Sequence, residues 1–78
     1  MTVDAEHRIT DRQREVFDFI RDEYQGRGYG LTVREIAARF GWTSPNAAAI
    51  HLKRLKTYGL VTWEPNASRT IRPTEAAL

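Results

Sequence analysis

Apolar side chains recur at helical spacing through the first three-quarters of the chain, and at strand spacing near its end. Val16, Phe17, Ile20 and Tyr24 fall on one face of an α-helix. Thr10 and Gln13 make a capping box, so the spacing predicts a helix from Thr10 to about Gln25, broken by Gly26-Arg27-Gly28. Phe19 lies off the stripe and is free to cover a neighbouring element. Tyr29 to Leu31 read as an extended connection with at most one or two strand residues. Val33, Ile36, Ala37 and Phe40 form a second stripe, on a helix opened by the Thr32–Glu35 capping box. Gly41 supplies the positive φ that lets this helix stop abruptly. A third helix opens at Ser44-Pro45, a capping hydroxyl followed by a proline at the first helical position, and closes at Gly59. After Gly59 the period changes to two. Leu60 to Glu64 read as a strand with Val61 and Trp63 on one side, and Pro65-Asn66-Ala67-Ser68 as a turn. Arg69 to Arg72 read as the return strand, with Ile71 inward and Pro73 ending the pairing.

These elements predict a mainly α fold with a small antiparallel β-hairpin, a winged helix-turn-helix. Residues 1–9 show no periodicity and read as a loose arm. Residues 10–73 make the domain, and residues 74–78 a tail or the start of a linker. A lone hairpin is unstable in water, so this one must pack on the helices through Val61, Trp63 and Ile71. Two helices joined by a tight turn are the motif whose second helix enters the DNA major groove.

The third helix shows which of its faces is free. At about 100° per residue, Ala48, Leu52 and Leu55 cluster within about 60° and must face the core. Asn46, Ile50, Lys53 and Thr57 then fall opposite. That row suits a major groove, because asparagine pairs bidentately with adenine and an aliphatic group meets the thymine methyl. Ala47 and Ala49 flank the row and allow close approach, while Lys53 and Lys56 reach toward phosphates. Other readings stand beside these. Asn46 near a helix start can serve the backbone, and Ile50 can pack on a neighbouring domain or stand as a single exposed aliphatic. Ser44 is a cap first. His51, at the edge of the buried stripe, reads as a packed histidine, and Trp42 as a lid on the core whose indole N–H points toward a phosphate.

Composition narrows the function. Seventy-eight residues allow one small domain, with a core too small to enclose an active site and a cofactor. Absence of cysteine excludes disulfides, zinc fingers and thiol catalysis. Ser44 and Ser68 have no lysine or histidine base at a recognisable spacing, so no enzyme activity is expected. No apolar run approaches the roughly 20 residues of a membrane span, and MTVDAEHRIT lacks the apolar segment of a secretory signal, which sets the expectation of the cytosol. Net charge is only +2, but its distribution is uneven. No acid occurs from Ile36 to Trp63, where Arg39, Lys53, Arg54 and Lys56 lie, and Arg69 and Arg72 follow. Asp11, Glu15, Asp18, Asp22 and Glu23 crowd the first helix. One electropositive side is the footprint of phosphate binding.

The stretch from Thr10 to Arg72 resembles the DNA-binding domain of the LexA repressor family. The resemblance rests on TDRQREVFDFIRD, TVREIAARFGWTSPNAA, HLKRLKTYGLV and NASRTIR. It implies a sequence-specific repressor of double-stranded DNA, acting in the bacterial SOS response, whose SPNAA-opened helix reads the operator. By position, Ser44, Asn46, Ala47, Ala49 and Ile50 then face bases, and the wing around Asn66, Ser68 and Arg69 meets the backbone together with Lys53 and Lys56. Many enterobacterial-type members carry two glutamates where this chain has Ala49 and Ile50. Neither residue can accept a hydrogen bond from cytosine, so a different operator is expected. Full repressors of the family continue through a cleavage site into a self-cleaving, dimerising domain with a serine–lysine dyad. The sequence ends at Leu78, so two readings stay open: part of a longer repressor, or a free-standing regulator of phage or plasmid type. A winged helix serving protein–protein contact through the Ile50 strip is the alternative from another class. The expected partners are an operator duplex and a second copy on an adjacent half-site, with no membrane, small-molecule substrate, metal or cofactor.

Overall fold

The computed structural model describes residues 9–65 and 67–75, Pro45 by its backbone alone. Helix α1 spans Asp11–Arg27, α2 Val33–Arg39 and α3 Pro45–Thr57, followed by strands β1, Val61–Thr62, and β2, Arg72–Pro73. This is the expected winged helix-turn-helix. The expected arm over residues 1–9 and tail over 74–78 fall mostly outside the described residues.

Each helix starts as its capping residues dictate. The Thr10 hydroxyl accepts from the Gln13 amide at 3.1 Å, and the Gln13 side chain accepts from the Thr10 amide at 3.1 Å. That reciprocal bond is why Gln13 can be buried with the core although it is polar. Thr32 and Glu35 repeat the arrangement at 3.0 and 2.8 Å. Ser44 caps α3 by accepting from the Asn46 amide at 3.1 Å. Helix α1 runs past the predicted stop near Gln25, taking in Gly26 and Arg27 before Gly28 ends it. A solvent-facing glycine lowers helix propensity by about 1 kcal/mol, too little to stop a helix whose next residue, Arg27, is tied down by other contacts.

The turn between α2 and α3 closes through backbone bonds from Trp42 N to Ala37 O at 2.9 Å and from Gly41 N to Ala38 O at 3.3 Å. Gly41 takes φ 71, which that closure requires and which other side chains resist. Val16, Phe17 and Ile20 of α1, Ile36 and Ala37 of α2, and Ala48, Leu52 and Leu55 of α3 meet Leu31, Leu60, Val61 and Ile71 in one core. Each fully buried aliphatic side chain contributes roughly 1.5–3 kcal/mol.

The sheet departs from the prediction. Among the described residues strand pairing covers Val61↔Pro73 and Thr62↔Arg72, shorter than expected, with Pro73 as its last pair. Thr74 N donates to Leu60 O at 3.0 Å, beyond Pro73. Pro73 therefore occupies a non-hydrogen-bonded position, where its missing N–H costs no ladder bond. From Glu64 onward side chains replace the ladder. The Thr70 hydroxyl accepts from Glu64 N at 3.0 Å and donates to Ala67 O at 3.1 Å. On its other edge Ile71 pairs with Leu31, N to O at 2.8 and 3.2 Å, so the predicted short extended connection is real and joins the wing.

Candidate nucleic-acid interface

Helix α3 buries one face and offers the other. Ala48, Leu52 and Leu55 are in the core, while Asn46, Ile50, Lys53 and Thr57 are exposed. Ile50 is 57% exposed, an apolar side chain that the core does not use. Ala47 and Ala49 are half-buried along the two edges of the row, and Ser44 is exposed at its start. The Thr57 hydroxyl donates back to Lys53 O at 2.9 Å, which occupies it within the helix.

The wing stands beside this face. A cleft of about 420 Å³ separates it from α3, with Ala49 and Lys53 on the helix side, Ser68 and Arg69 on the wing side, and Trp63 and Val33 in the lining. The structure thus brings Lys53, Ser68 and Arg69 together around one opening. Arg69 holds φ 60, a left-handed conformation unusual for a residue with a side chain. Lys56 lies differently: its ammonium sits over the Trp63 ring, 4.3 Å from the centroid. Trp63 is half-buried under that charge and packs against the edge of the core that holds Val61 and Ile71. Asn66 lies outside the described residues.

The charges divide between the elements. On α1, Arg12 pairs with Glu15, Arg21 with Asp18 and Asp22, and Arg27 with Glu35 and Glu23. Arg72, at the base of the wing, faces Glu64 at 3.8 Å. Arg34, Lys53, Arg54, Lys56 and Arg69 have no carboxylate within ion-pair distance among the described residues. Among the described residues the uncompensated positive charge therefore lies on α2, α3 and the wing, while four of the exposed acids, Asp11, Glu15, Asp22 and Glu23, lie on α1 and Glu64 and Glu75 lie beyond α3. Such a field attracts a polyanion to one side of the molecule.

A model of the family described as LexA DNA binding domain matches residues 6–70. The chain belongs to that family. It is 47% identical over 64 residues to the LexA repressor of Cupriavidus metallidurans, covering 82% of this chain and 29% of that protein. The LexA repressor of Ralstonia pickettii matches at 47% over 64 residues, 82% of this chain and 30% of that protein. That of Halorhodospira halophila matches at 46% over 68 residues, 87% and 30%. The chain spans about 30% of the length of these curated relatives.

Within this LexA-family domain, two exposed arginines were not among the expected DNA-contact residues, although Arg54 was part of the basic segment. Arg54 follows Lys53 and is exposed on α3, and Arg34 is exposed in the first turn of α2. The signal was present: residues three and four positions either side of Arg54 include no acid, so no helical neighbour could neutralise it. His51 and Trp42 behave as packing residues. Phe40, Trp42 and His51 form a continuous stack, with successive centroids 5.1 Å apart. Burial, then the charges of Arg12 and Arg54, push the His51 imidazole below its ordinary range.

Proposed function

We propose that this chain is the DNA-reading module of an operator-binding transcriptional repressor, with α3 in the major groove of double-stranded DNA and the wing on the adjacent backbone. Asn46, Ala47, Ala49 and Ile50, with Ser44 at the helix start, face base edges. Lys53, Lys56, Ser68 and Arg69, with Asn66, meet phosphates. One observation carries this reading. The exposed face of α3 holds Asn46 and Ile50, and uncompensated cations border it. A solvated helix has no need of an exposed isoleucine, whereas a thymine methyl offers it apolar contact. The domain acts by binding and not by catalysis, in the bacterial cytosol and, by kinship with the named repressors, in DNA-damage control.

A single module of this kind buries about 600–1,000 Å² on DNA, so affinity stays modest until two copies occupy adjacent half-sites. The free chain is a monomer in dilute solution, a state that analytical ultracentrifugation checks. Selection of bound sequences from a random duplex pool tests the whole reading. Enrichment of one short motif, or of that motif as two spaced half-sites, supports it. Binding without enrichment would reduce the domain to a non-specific polyanion binder. The operator should differ from that of relatives with two acids at the positions of Ala49 and Ile50.

A further inference from the structure

The wing is fastened to the α1–α2 connection as well as to its own hairpin. The Arg27 guanidinium makes a two-point bond to the Glu35 carboxylate, 2.8 Å at each oxygen. The same guanidinium donates to the Gly30 carbonyl at 3.1 Å and lies 4.5 Å from the Tyr29 ring centroid. Glu35 in turn accepts from the Thr32 amide at 2.8 Å. One side chain therefore fixes both ends of the short connection from Tyr29 to Thr32. That connection carries the wing on its next residues. Leu31 pairs with Ile71, and the Gly30 backbone lies directly under Arg69 and Thr70. A Cβ on Gly30 would stand 2.7 Å from Thr70 Cα and collide with the Arg69 carbonyl. The three nearest atoms are all backbone, so no swing of a flexible side chain relieves the contact.

We propose that Arg27 is a positioning residue for DNA binding: through the Gly30 carbonyl it sets where Arg69 stands beside α3. The proposal rests on the reading that Arg69 meets a phosphate. The pairing of β1 with β2 is only two residues long and cannot by itself fix the wing. The Leu31–Ile71 bridge supplies the missing registration, and Arg27 holds the bridge's own backbone in place. Lysine cannot replace arginine here, since a single ammonium cannot span two carboxylate oxygens and a carbonyl in one plane.

The test compares Arg27→Lys, Arg27→Met and Gly30→Ala in the full chain. Amide NMR shifts report the free protein, and the salt dependence of binding to a duplex of random sequence reports the complex. The amides of Ser68, Arg69, Thr70 and Leu31 should move in all three variants, while those of Ile50 and Lys53 stay. The slope of log affinity against log salt should fall by about 0.9, one phosphate contact. A loss of stability alone lowers affinity equally at every salt concentration and leaves that slope unchanged. In an Arg69→Ala background the same variants should change the slope no further. If Arg27→Met does not fold, Arg27→Lys and Gly30→Ala carry the comparison. Unmoved wing amides, or a slope that still falls without Arg69, overturn the positioning role. Wing amides that move while the slope holds uphold the fastening and remove Arg69 from the phosphate contacts.

Discussion

The Trp42 indole and the His51 imidazole lie face to face, centroids 5.1 Å apart and planes 9° from parallel. The pair packs the turn between α2 and α3 against the side of α3. Trp42 comes from the glycine-closed turn and His51 from the second turn of α3, so the stack fixes the angle at which the two helices leave each other. A neutral imidazole suits this place. Arg12 and Arg54 both bear on it, and its Nδ1 is buried without a hydrogen-bond partner among the described residues.

Acid should therefore weaken the fold through His51. Its folded pKa lies below the ordinary 6.5, so the unfolded chain takes up the proton first as pH falls. The stabilising contribution is whole above that ordinary value and is lost as pH drops through it toward the folded pKa. Thermal melts from about pH 7.5 to about pH 5.5 should show a falling midpoint. His51→Phe keeps an aromatic face against Trp42 and should flatten the profile. An equally steep profile in that variant would place the titration elsewhere.

A second acid transition belongs to Glu35. The Arg27 guanidinium bonds hold its carboxyl down to about 2, against an ordinary 4.5, with help from the Thr32 amide. The depressed value means the contribution is present above about 4.5 and disappears as pH falls through about 2. Glu35→Ala should cost about 1–2 kcal/mol near neutral pH, the lower part of the range for charged hydrogen bonds because the site is partly open to water. Denaturant titration at neutral pH and near pH 2 checks both parts: the variant's deficit should shrink markedly in acid.

Two neighbouring lysines of α3 should separate. Lys53 stands exposed at the mouth of the wing cleft without a carboxylate partner among the described residues, and its replacement by alanine should lower the salt slope of DNA binding by about one. Melting should be nearly unchanged. Lys56 also covers Trp63, so Lys56→Ala should lower the slope and remove roughly 0.5–1 kcal/mol of cation–π attraction. Tryptophan fluorescence alongside melting distinguishes the two: Lys56→Ala should alter the Trp63 environment and Lys53→Ala should not.

Helix starts and the buried stripes could be read from the sequence because both are local. Thr10 with Gln13, and Thr32 with Glu35, specify their own hydrogen bonds within one turn, and Ala48, Leu52 and Leu55 follow the helical period. The exposed row of α3 followed from the same period by subtraction. What the sequence hid depends on distant partners. Gly26 and Arg27 looked like a break, since the bonds that hold Arg27 reach Glu35 and Gly30 across a turn. The wing's register escaped for the same reason: Thr70 replaces ladder bonds with its hydroxyl, and Ile71 pairs with Leu31 rather than continuing the hairpin. Lys56 resting on Trp63 likewise needed the hairpin's placement before it could be seen.

Ile50 offers the sharpest test of how this domain chooses its sequence. It is 57% exposed, one helical turn after Asn46, and opposite the buried Ala48–Leu52–Leu55 face. On a groove-bound helix its side chain meets base edges with nothing to donate or accept. It can favour a thymine methyl and must disfavour bases whose polar edges it would leave unpaired. Ile50→Glu introduces an acceptor that can take a hydrogen bond from the cytosine amino group, and it raises no core strain because the position is open to water. The preferred base pair under that position should change, with discrimination of about 1–3 kcal/mol, while the rest of the motif persists. Melting should move by no more than about 0.5 kcal/mol, the range of an ordinary surface substitution. Repeating the duplex selection with the variant, beside a thermal melt, separates the outcomes. A large fall in midpoint would mean that Ile50 packs against the fold, and an unaltered motif would mean that α3 presents a different face to the groove.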